Sequence, residues 1–561
     1  MEMSPNRQIG KREIPVGDAI AAYLADIGVT TVFGVISIHN MPILDAIARQ
    51  GRIRFVPARG EAGAMNMADA YARVTRSLGV VVTSTGTGAG NAAGAQVEAL
   101  TAGTPLLHLT SQVDREFIDR DRAAIHDVPR QNEMLQSVSK RCFRVWEADG
   151  VYGVLSQAAA SALSPPAGPV SVEIPIDAQR ETIVAGDHVA APTIAYPLAA
   201  EAEIAALSER IQLAKRPMLW LGGGARRAAV QANSLVERGF CAVSSTNGRA
   251  VVDERHPATL GAFNMTPDAE AVFAESDLML VVGSRLRGNE TRNNKLALPH
   301  TLVQIDADAS QCGRNYPVAQ FVHGDAGDTL TRLLAVLPDQ LTVDAEFRYS
   351  VAIARARSEG SLRDRLGVYR VIADALQERI CEGRHPFVRD VTISNSTFGN
   401  RYVQIDQPHH GVHALGGGIG QGIAMGVGAA LAPGEAKTVV LVGDGGAQLG
   451  LAELATAVEE RANLVFVLMN DQAYGVIRNI QDAQYGGRHH YCALKTPNFG
   501  TLCQAIDLPH DKVTSEGDFA AVLDQALERD GPVMIEVDMC AIGPFSEPFG
   551  GPPAGAAGKV P

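Results

Sequence analysis

Apolar residues in this chain gather in short dense runs, and each run breaks off at a turn. The sharpest examples come late. Val439-Val440-Leu441-Val442 runs into Gly443-Asp444-Gly445-Gly446, and Leu464-Val465-Phe466-Val467-Leu468-Met469 runs into Asn470-Asp471. Continuous aliphatic and β-branched runs of this length predict strands buried on both faces. Leu449 to Glu460, between them, predicts a helix, so the unit predicts β-α-β. In a parallel sheet both strand ends lie on one edge, where open α/β sheets bind ligands. Asp444 and Asp471 would meet there beside a glycine turn. Two hard oxygen ligands next to free backbone N–H groups suit Mg²⁺ holding a diphosphate.

The same alternation extends through most of the sequence and predicts three doubly wound parallel-sheet α/β domains. The first, residues 1–185, opens with a helix from Val16 to Ile27 and a strand from Thr31 to Val35, and closes at the strand Pro169 to Pro175. Residues from about Glu181 to Ala199, with Pro192 and Pro197, have little periodicity and predict a linker. The central domain, 195–345, holds Pro217 to Gly224, Leu278 to Ser284 and Leu302 to Asp306. The charged stretch Glu346 to Arg365 is helical or linking. The third domain, 365–545, ends at the strand Pro532 to Val537, and 546–561 is a flexible Gly-, Pro- and Ala-rich tail or lid.

Composition narrows the function. A chain of 561 residues is too long for one core. A net charge of −13 argues against nonspecific nucleic-acid binding. No apolar run reaches the length of a membrane span, and Met1 to Arg12 lacks the apolar core of a signal peptide. The seven cysteines are scattered without CxxC spacing, which fits reduced thiols in a cytoplasmic protein rather than a zinc site.

By itself a Gly-Asp-Gly turn also fits a strand-to-helix turn capped by an aspartate. Its context adds more. Arg59-Gly60-Glu61-Ala62-Gly63-Ala64 follows the strand Ile53 to Pro57, and Val80-Val81-Val82-Thr83-Ser84-Thr85-Gly86-Thr87-Gly88-Ala89-Gly90-Asn91 comes next. In this order, with the late aspartates, the chain resembles the thiamine-diphosphate enzymes of the acetolactate synthase, pyruvate decarboxylase and benzoylformate decarboxylase superfamily, over nearly its whole length. Its wording is nearest to acetolactate synthase. The resemblance implies an N-terminal pyrimidine-binding, a central and a C-terminal diphosphate-binding domain. It also implies a homodimer or homotetramer with active sites between subunits, and a 2-oxo acid or related carbonyl substrate. The expected outcome is carboligation, with nonoxidative decarboxylation or carbon–carbon hydrolysis as alternatives.

The resemblance also implies roles for residues. Asp444 matches the first metal ligand. Asp471 stands at the second, where relatives carry asparagine, and the carbonyl of Ala473 completes the protein's share. Asn470 is then a neighbour rather than a ligand. Gly445, Gly446, Tyr474 and Gly475 belong to the diphosphate side. Gly417 and Ile419, in Leu415-Gly416-Gly417-Gly418-Ile419-Gly420-Gln421-Gly422, match the loop that bends the cofactor, with Ile419 as the bulky apolar wedge. Glu61 matches the activating glutamate that shares a proton with the pyrimidine ring; without the family it would be an acid favoured at a helix start.

Substrate contacts are less fixed. His39, in Gly34-Val35-Ile36-Ser37-Ile38-His39-Asn40, is either a proton shuttle or a hydrogen-bonded structural histidine. Gln112 matches a glutamine that lines the synthase site. His126 stands near a second one and reads as surface. Ser84 falls where benzoylformate decarboxylase has a catalytic histidine. Ile480 replaces the synthase's selective tryptophan, and Leu286 to Arg292 replaces its Phe-Asp-Asp-Arg segment. Arg287 and Arg292 could face a carboxylate, with solvated surface the default. His489 and His490 could fall on a mobile loop over the site, with solvated loop histidines the default. The central block has no flavin signature, so FAD is not expected, and Gly222-Gly223-Gly224 does not make a nicotinamide fingerprint.

Overall fold

The apolar runs become the inner strands of three parallel sheets in a computed structural model that describes residues 13–185 and 191–547. In chain order the strands are β1 (Glu13–Pro15), β2 (Thr31–Gly34), β3 (Arg54–Pro57), β4 (Gly79–Thr83), β5 (Leu106–Gln112), β6 (Arg141–Arg144), β7 (Pro169–Pro175), β8 (Thr182–Val184), β9 (Pro217–Leu221), β10 (Cys241–Ser244), β11 (Leu278–Val282), β12 (Leu302–Asp306), β13 (Gln320–His323), β14 (Phe387–Arg389), β15 (Gly411–His413), β16 (Thr438–Gly443), β17 (Leu464–Asn470), β18 (His510–Val513) and β19 (Val533–Asp538). The first sheet has the order β3-β2-β4-β5-β7-β6, the second β10-β9-β11-β12-β13 and the third β15-β14-β16-β17-β19-β18. The chain is α/β throughout, as the alternating pattern predicts.

Position in the sheet follows composition. The inner strands β4, β5, β7, β16 and β17 are buried at every residue, whereas the edge strands β3 and β6 reach solvent and carry arginines. Packing divides the chain into two units, one built on the first sheet and the other on the second and third together. Inside the second unit, Arg249 forms a buried ion pair with Glu254 (2.6 Å) and donates to the carbonyls of Asn400 (3.0 Å) and Val403 (2.7 Å). That tie anchors the third sheet to the second.

Four details refine the sequence reading. Residues 182–184, expected in a linker, form β8 and pair antiparallel with β1, burying Ile183. The partner lies far away in sequence, so no local period announces it. The helix expected from Leu449 to Glu460 is two helices, Asp444–Gly450 and Glu453–Glu459. The stretch left as helical or linking is one helix, Ala345–Leu366, started by Asp344 accepting the N–H of Glu346 (3.0 Å) and burying Phe347, Val351, Ala354, Ser358, Leu362 and Leu366 along one face. The expected tail begins beyond an anchor: Phe545 is buried with its ring 4.3 Å from that of Tyr369. Residues 548–561, most of that tail, and the first twelve residues lie outside the described ones.

Candidate active site

β16 and β17 pair in parallel with Gly443 opposite Met469, so the residues that follow them leave the sheet side by side. Asp444 begins the helix Asp444–Gly450, and Asp471 opens the turn before the helix Gly475–Gln484. Both are buried, close enough that each carboxyl perturbs the other. Burial, then the neighbouring Asp471, pushes Asp444 up to about 7. Burial also raises Asp471, against the pull of Arg478, whose Nη2 donates to Asp471 Oδ2 at 3.0 Å. The outer oxygen of Asp444 has no partner. Two close carboxyls and an orphaned buried oxygen are an expensive arrangement that a cation relieves. The residues present therefore fit a divalent metal.

The turn around Asp471 is held open by its neighbours. Gln472 lies in the left-handed region at φ 51°, a strained conformation for a residue with a Cβ. A two-bond brace fixes it: Tyr474 N–H donates to the carbonyl of Cys492 (2.8 Å), and Leu494 N–H to that of Gln472 (2.8 Å). The carbonyl of Ala473 takes no part in these bonds. At Gly475 a Cβ would lie 2.4 Å from Asp471 Oδ2, so only glycine leaves that carboxylate its place. The ring of Tyr474 covers Gly445. Asn470 directs its amide N–H to Glu536 (2.8 Å).

A third acid on this edge escaped the sequence reading. Asp390, just past β14, is buried and accepts the N–H groups of Val391 (2.7 Å), Gly420 (3.0 Å) and Gly422 (3.1 Å). Burial raises it to about 6 against those donors. It anchors the glycine loop, whose residues Gly417 and Gly420 take φ of 81° and 86°. Ile419, between them, stands out of the loop 38% exposed. Arg287, read from sequence as solvated by default, instead donates to the carbonyl of Leu415 at the loop's start (3.0 Å). Arg292 pairs with Glu270 (2.6 Å). His489 is pinned to Asp482 (2.5 Å), and Gln481 holds the backbone of His490 (3.0 and 3.1 Å). A signal for Asp390 existed in sequence: Phe387-Val388-Arg389 is another short run ending in an acid.

In the first unit the expected residues also collect at strand ends on one edge: His39 after β2, Glu61 after β3, Ser84 to Gly88 after β4, and Gln112 at the end of β5. Glu61 opens the helix Glu61–Thr75 and accepts from Asn91 Nδ2 (3.1 Å). Its other oxygen faces Gly88, where a Cβ would lie 3.2 Å away. Gln112 is fully buried. Its Oε1 accepts from the Val113 N–H (2.8 Å) and lies 3.0 Å from the Thr85 hydroxyl, while its Nε2 donates to Glu173 (3.2 Å). Both ends of that amide serve the protein, so the geometry makes Gln112 a brace for the Thr85 turn instead of a lining residue. Gln131, not singled out in sequence, accepts the Gly86 N–H (2.6 Å) and donates to Glu173 (2.9 Å). His39 is buried, its Nδ1 without a partner.

The predicted residues thus fall into two groups. Glu61, His39 and Gln112 lie on the first unit, and Gly417, Ile419, Asp444 to Gly446 and Asp471 to Gly475 lie on the second.

Both groups lie within stretches that match domains of known proteins. Residues 14–134 match the N-terminal thiamine pyrophosphate binding domain of thiamine pyrophosphate enzymes, 204–333 their central domain and 392–537 their C-terminal thiamine pyrophosphate binding domain. A "Probable 2-ketoarginine decarboxylase" of Pseudomonas aeruginosa is 31% identical over 476 residues, 84% of each chain. The large subunit of acetolactate synthase isozyme 1 of Escherichia coli is 26% identical over 534 residues, 92% of each chain. A solved structure from Mycobacterium smegmatis, provisionally described as a thiamin diphosphate-dependent enzyme, superposes with a TM-score of 0.79 at 25% identity, covering 94% of this chain and 99% of that one. Among the described residues no helix is long and apolar enough to cross a membrane.

Proposed function

The chain belongs to the thiamine-pyrophosphate-dependent enzyme family, and from that premise we propose that it uses thiamine diphosphate with Mg²⁺ to break the carbon–carbon bond beside the carbonyl of a 2-oxo acid. The observation that carries this reading is the pair Asp444 and Asp471, buried together with one oxygen unpartnered. Mg²⁺ prefers such hard oxygen ligands and keeps other positions for phosphate oxygens and water. The carbonyl of Ala473 is the third protein ligand. Arg478 offsets the charge that Asp471 adds where relatives carry an amide. Gly445, Gly446, Tyr474 and Gly475 give the diphosphate a close approach to backbone, and Gly417 and Ile419 hold the ring end. Bound there, the cofactor supplies a nucleophilic carbon and a sink for the electron pair freed by bond cleavage. Glu61 holds the proton that tunes the pyrimidine end.

Two fates of the remaining acyl group are supported by different observations. The motif wording and relatives named acetolactate synthase favour transfer to a second carbonyl compound. The 31% identical relative named a decarboxylase, together with the replaced tryptophan and Phe-Asp-Asp-Arg segments, favours release as an aldehyde. We take the working unit to be a homodimer or homotetramer in the cytoplasm, with the Glu61 edge of one subunit facing the Asp444 edge of another. Incubating the Mg²⁺- and cofactor-loaded protein with pyruvate and larger 2-oxo acids tests the reading. Acetolactate marks transfer and free aldehyde marks decarboxylation; failure to release carbon dioxide from any 2-oxo acid overturns it.

A further inference from the structure

We infer that Arg478 sets what the Asp444–Asp471 site accepts: it holds the site against a divalent cation arriving alone and favours the cation together with a diphosphate. The inference rests on the metal and cofactor reading above and deepens it.

Asp471 brings a charge and a second oxygen to a position where relatives carry an amide, and the structure shows what answers both. Arg478 Nη2 donates to Asp471 Oδ2 at 3.0 Å. The same oxygen is closed in by Gly475, where a Cβ would come within 2.4 Å. Oδ1 is therefore the oxygen left for a metal. Two carboxylates and one guanidinium also carry the same formal charge as one aspartate and one amide. The ion pair thus imitates the relatives' amide in charge and in the number of oxygens it offers.

The imitation differs in one respect, because an amide brings no cation to the site. Arg478 lies in the first turn of the helix Gly475–Gln484. A cation that close to a helix start opposes the macrodipole, so helix stability does not explain the residue. Its side chain reaches solvent, whereas that of Asp471 is buried. Among the described residues the guanidinium bonds Asp471 alone, through one of the five N–H donors an arginine has. The remaining donors stand beside the proposed metal position. A guanidinium there repels a bare divalent cation and attracts a diphosphate, whose oxygens suit its fork. The start of the helix has the same sign and the same preference.

The test measures binding by the full-length protein, without turnover. Mn²⁺, which takes the same oxygen donors, is titrated alone and followed by loss of its free paramagnetic resonance signal. Thiamine diphosphate and inorganic pyrophosphate are then titrated by calorimetry at saturating Mn²⁺. Removing the nearby positive charge in Arg478→Met should tighten Mn²⁺ alone by about 10-fold. The same variant should weaken thiamine diphosphate and pyrophosphate by about 10–100-fold, as expected for lost charge-assisted hydrogen bonds. Asp471→Asn combined with Arg478→Met rebuilds the relatives' charge and should return Mn²⁺ affinity to within about threefold of the wild type. A residue that only supports the Asp471 turn would weaken metal and diphosphate alike when replaced. Changes of the same sign for both ligands in Arg478→Met, or no change in either, therefore overturn the inference. Arg478→Lys keeps the charge and loses the fork, and serves if Arg478→Met does not fold. It should leave Mn²⁺ affinity unchanged and weaken both diphosphates; equal losses for metal and diphosphate contradict the role. A wild type that binds neither Mn²⁺ nor thiamine diphosphate sinks the underlying cofactor reading, whereas a binding wild type with same-sign changes in the variant sinks only Arg478.

Discussion

Glu173 in the first sheet and Asp444 in the third are both carboxylates buried against the inner strands of parallel sheets, and their surroundings are opposite. Glu173 is fully satisfied: Oε1 accepts from Gln112 (3.2 Å) and Gln131 (2.9 Å), and Oε2 from Asn132 (2.8 Å) and the Arg144 guanidinium (2.7 Å). Asp444 meets a second carboxyl and leaves an oxygen empty. The first arrangement stabilises a fold, because every buried lone pair it uses has a donor. The second costs stability unless something else binds. Burial of an acid therefore says little about function; the lack of a compensating partner says much more.

That contrast can be attacked at several strengths. The largest effect is expected at Glu61, whose Asn91 contact leaves one carboxylate oxygen facing the Gly88 turn. Glu61→Gln should lower turnover by about 100-fold or more with an unchanged circular dichroism spectrum. Turnover within a few-fold of the wild type contradicts the role given to it. Glu173→Leu should act through stability instead. It leaves Arg144, whose side chain is 10% exposed, with only Asp119 (2.8 Å), and should cost about 3–5 kcal/mol in denaturant unfolding. Asp390→Asn lies between the two cases. It replaces an acceptor of three N–H groups by an amide, and should weaken cofactor binding by about 10–100-fold in calorimetry, as expected for a residue that orients a binding shell.

A smaller effect concerns pH. Burial lowers His108 to about 3, so the folded chain keeps the ring neutral while the unfolded chain protonates it below the ordinary histidine range. Its contribution is present above about 6.5 and is lost as pH falls towards 3. The melting temperature of the wild type should therefore drop between pH 7 and pH 4 by more than that of His108→Gln. Equal drops would show that burial does not keep the ring neutral.

What was legible in the sequence follows from range. Asp444 and Asp471 could be read because each ends a run of apolar residues, and parallel pairing of β16 with β17 brings such ends together by rule. Glu61 and Ile419 needed family resemblance, since an acid at a helix start and an isoleucine among glycines have ordinary structural uses. Asp390 was missed because its strand is three residues long and carries an arginine, which masks the apolar pattern; Arg389 is nevertheless fully buried. Gln112 was assigned to the site although Thr85, Val113 and Glu173 occupy its amide, and the two distant partners, Thr85 after β4 and Glu173 in β7, leave no mark on local sequence.

The central claim, that the Asp444–Asp471 pair is built to hold Mg²⁺ and thiamine diphosphate, is tested most directly by thermal unfolding of the wild type and Asp444→Ala with Mg²⁺ alone, cofactor alone and both. A ligand that binds only the folded state at 100 times its dissociation constant adds about 2.7 kcal/mol. The wild type should gain a clear rise in melting temperature only when both are present, and Asp444→Ala should gain none. An unmoved wild type, or a rise of equal size in Asp444→Ala, would contradict it.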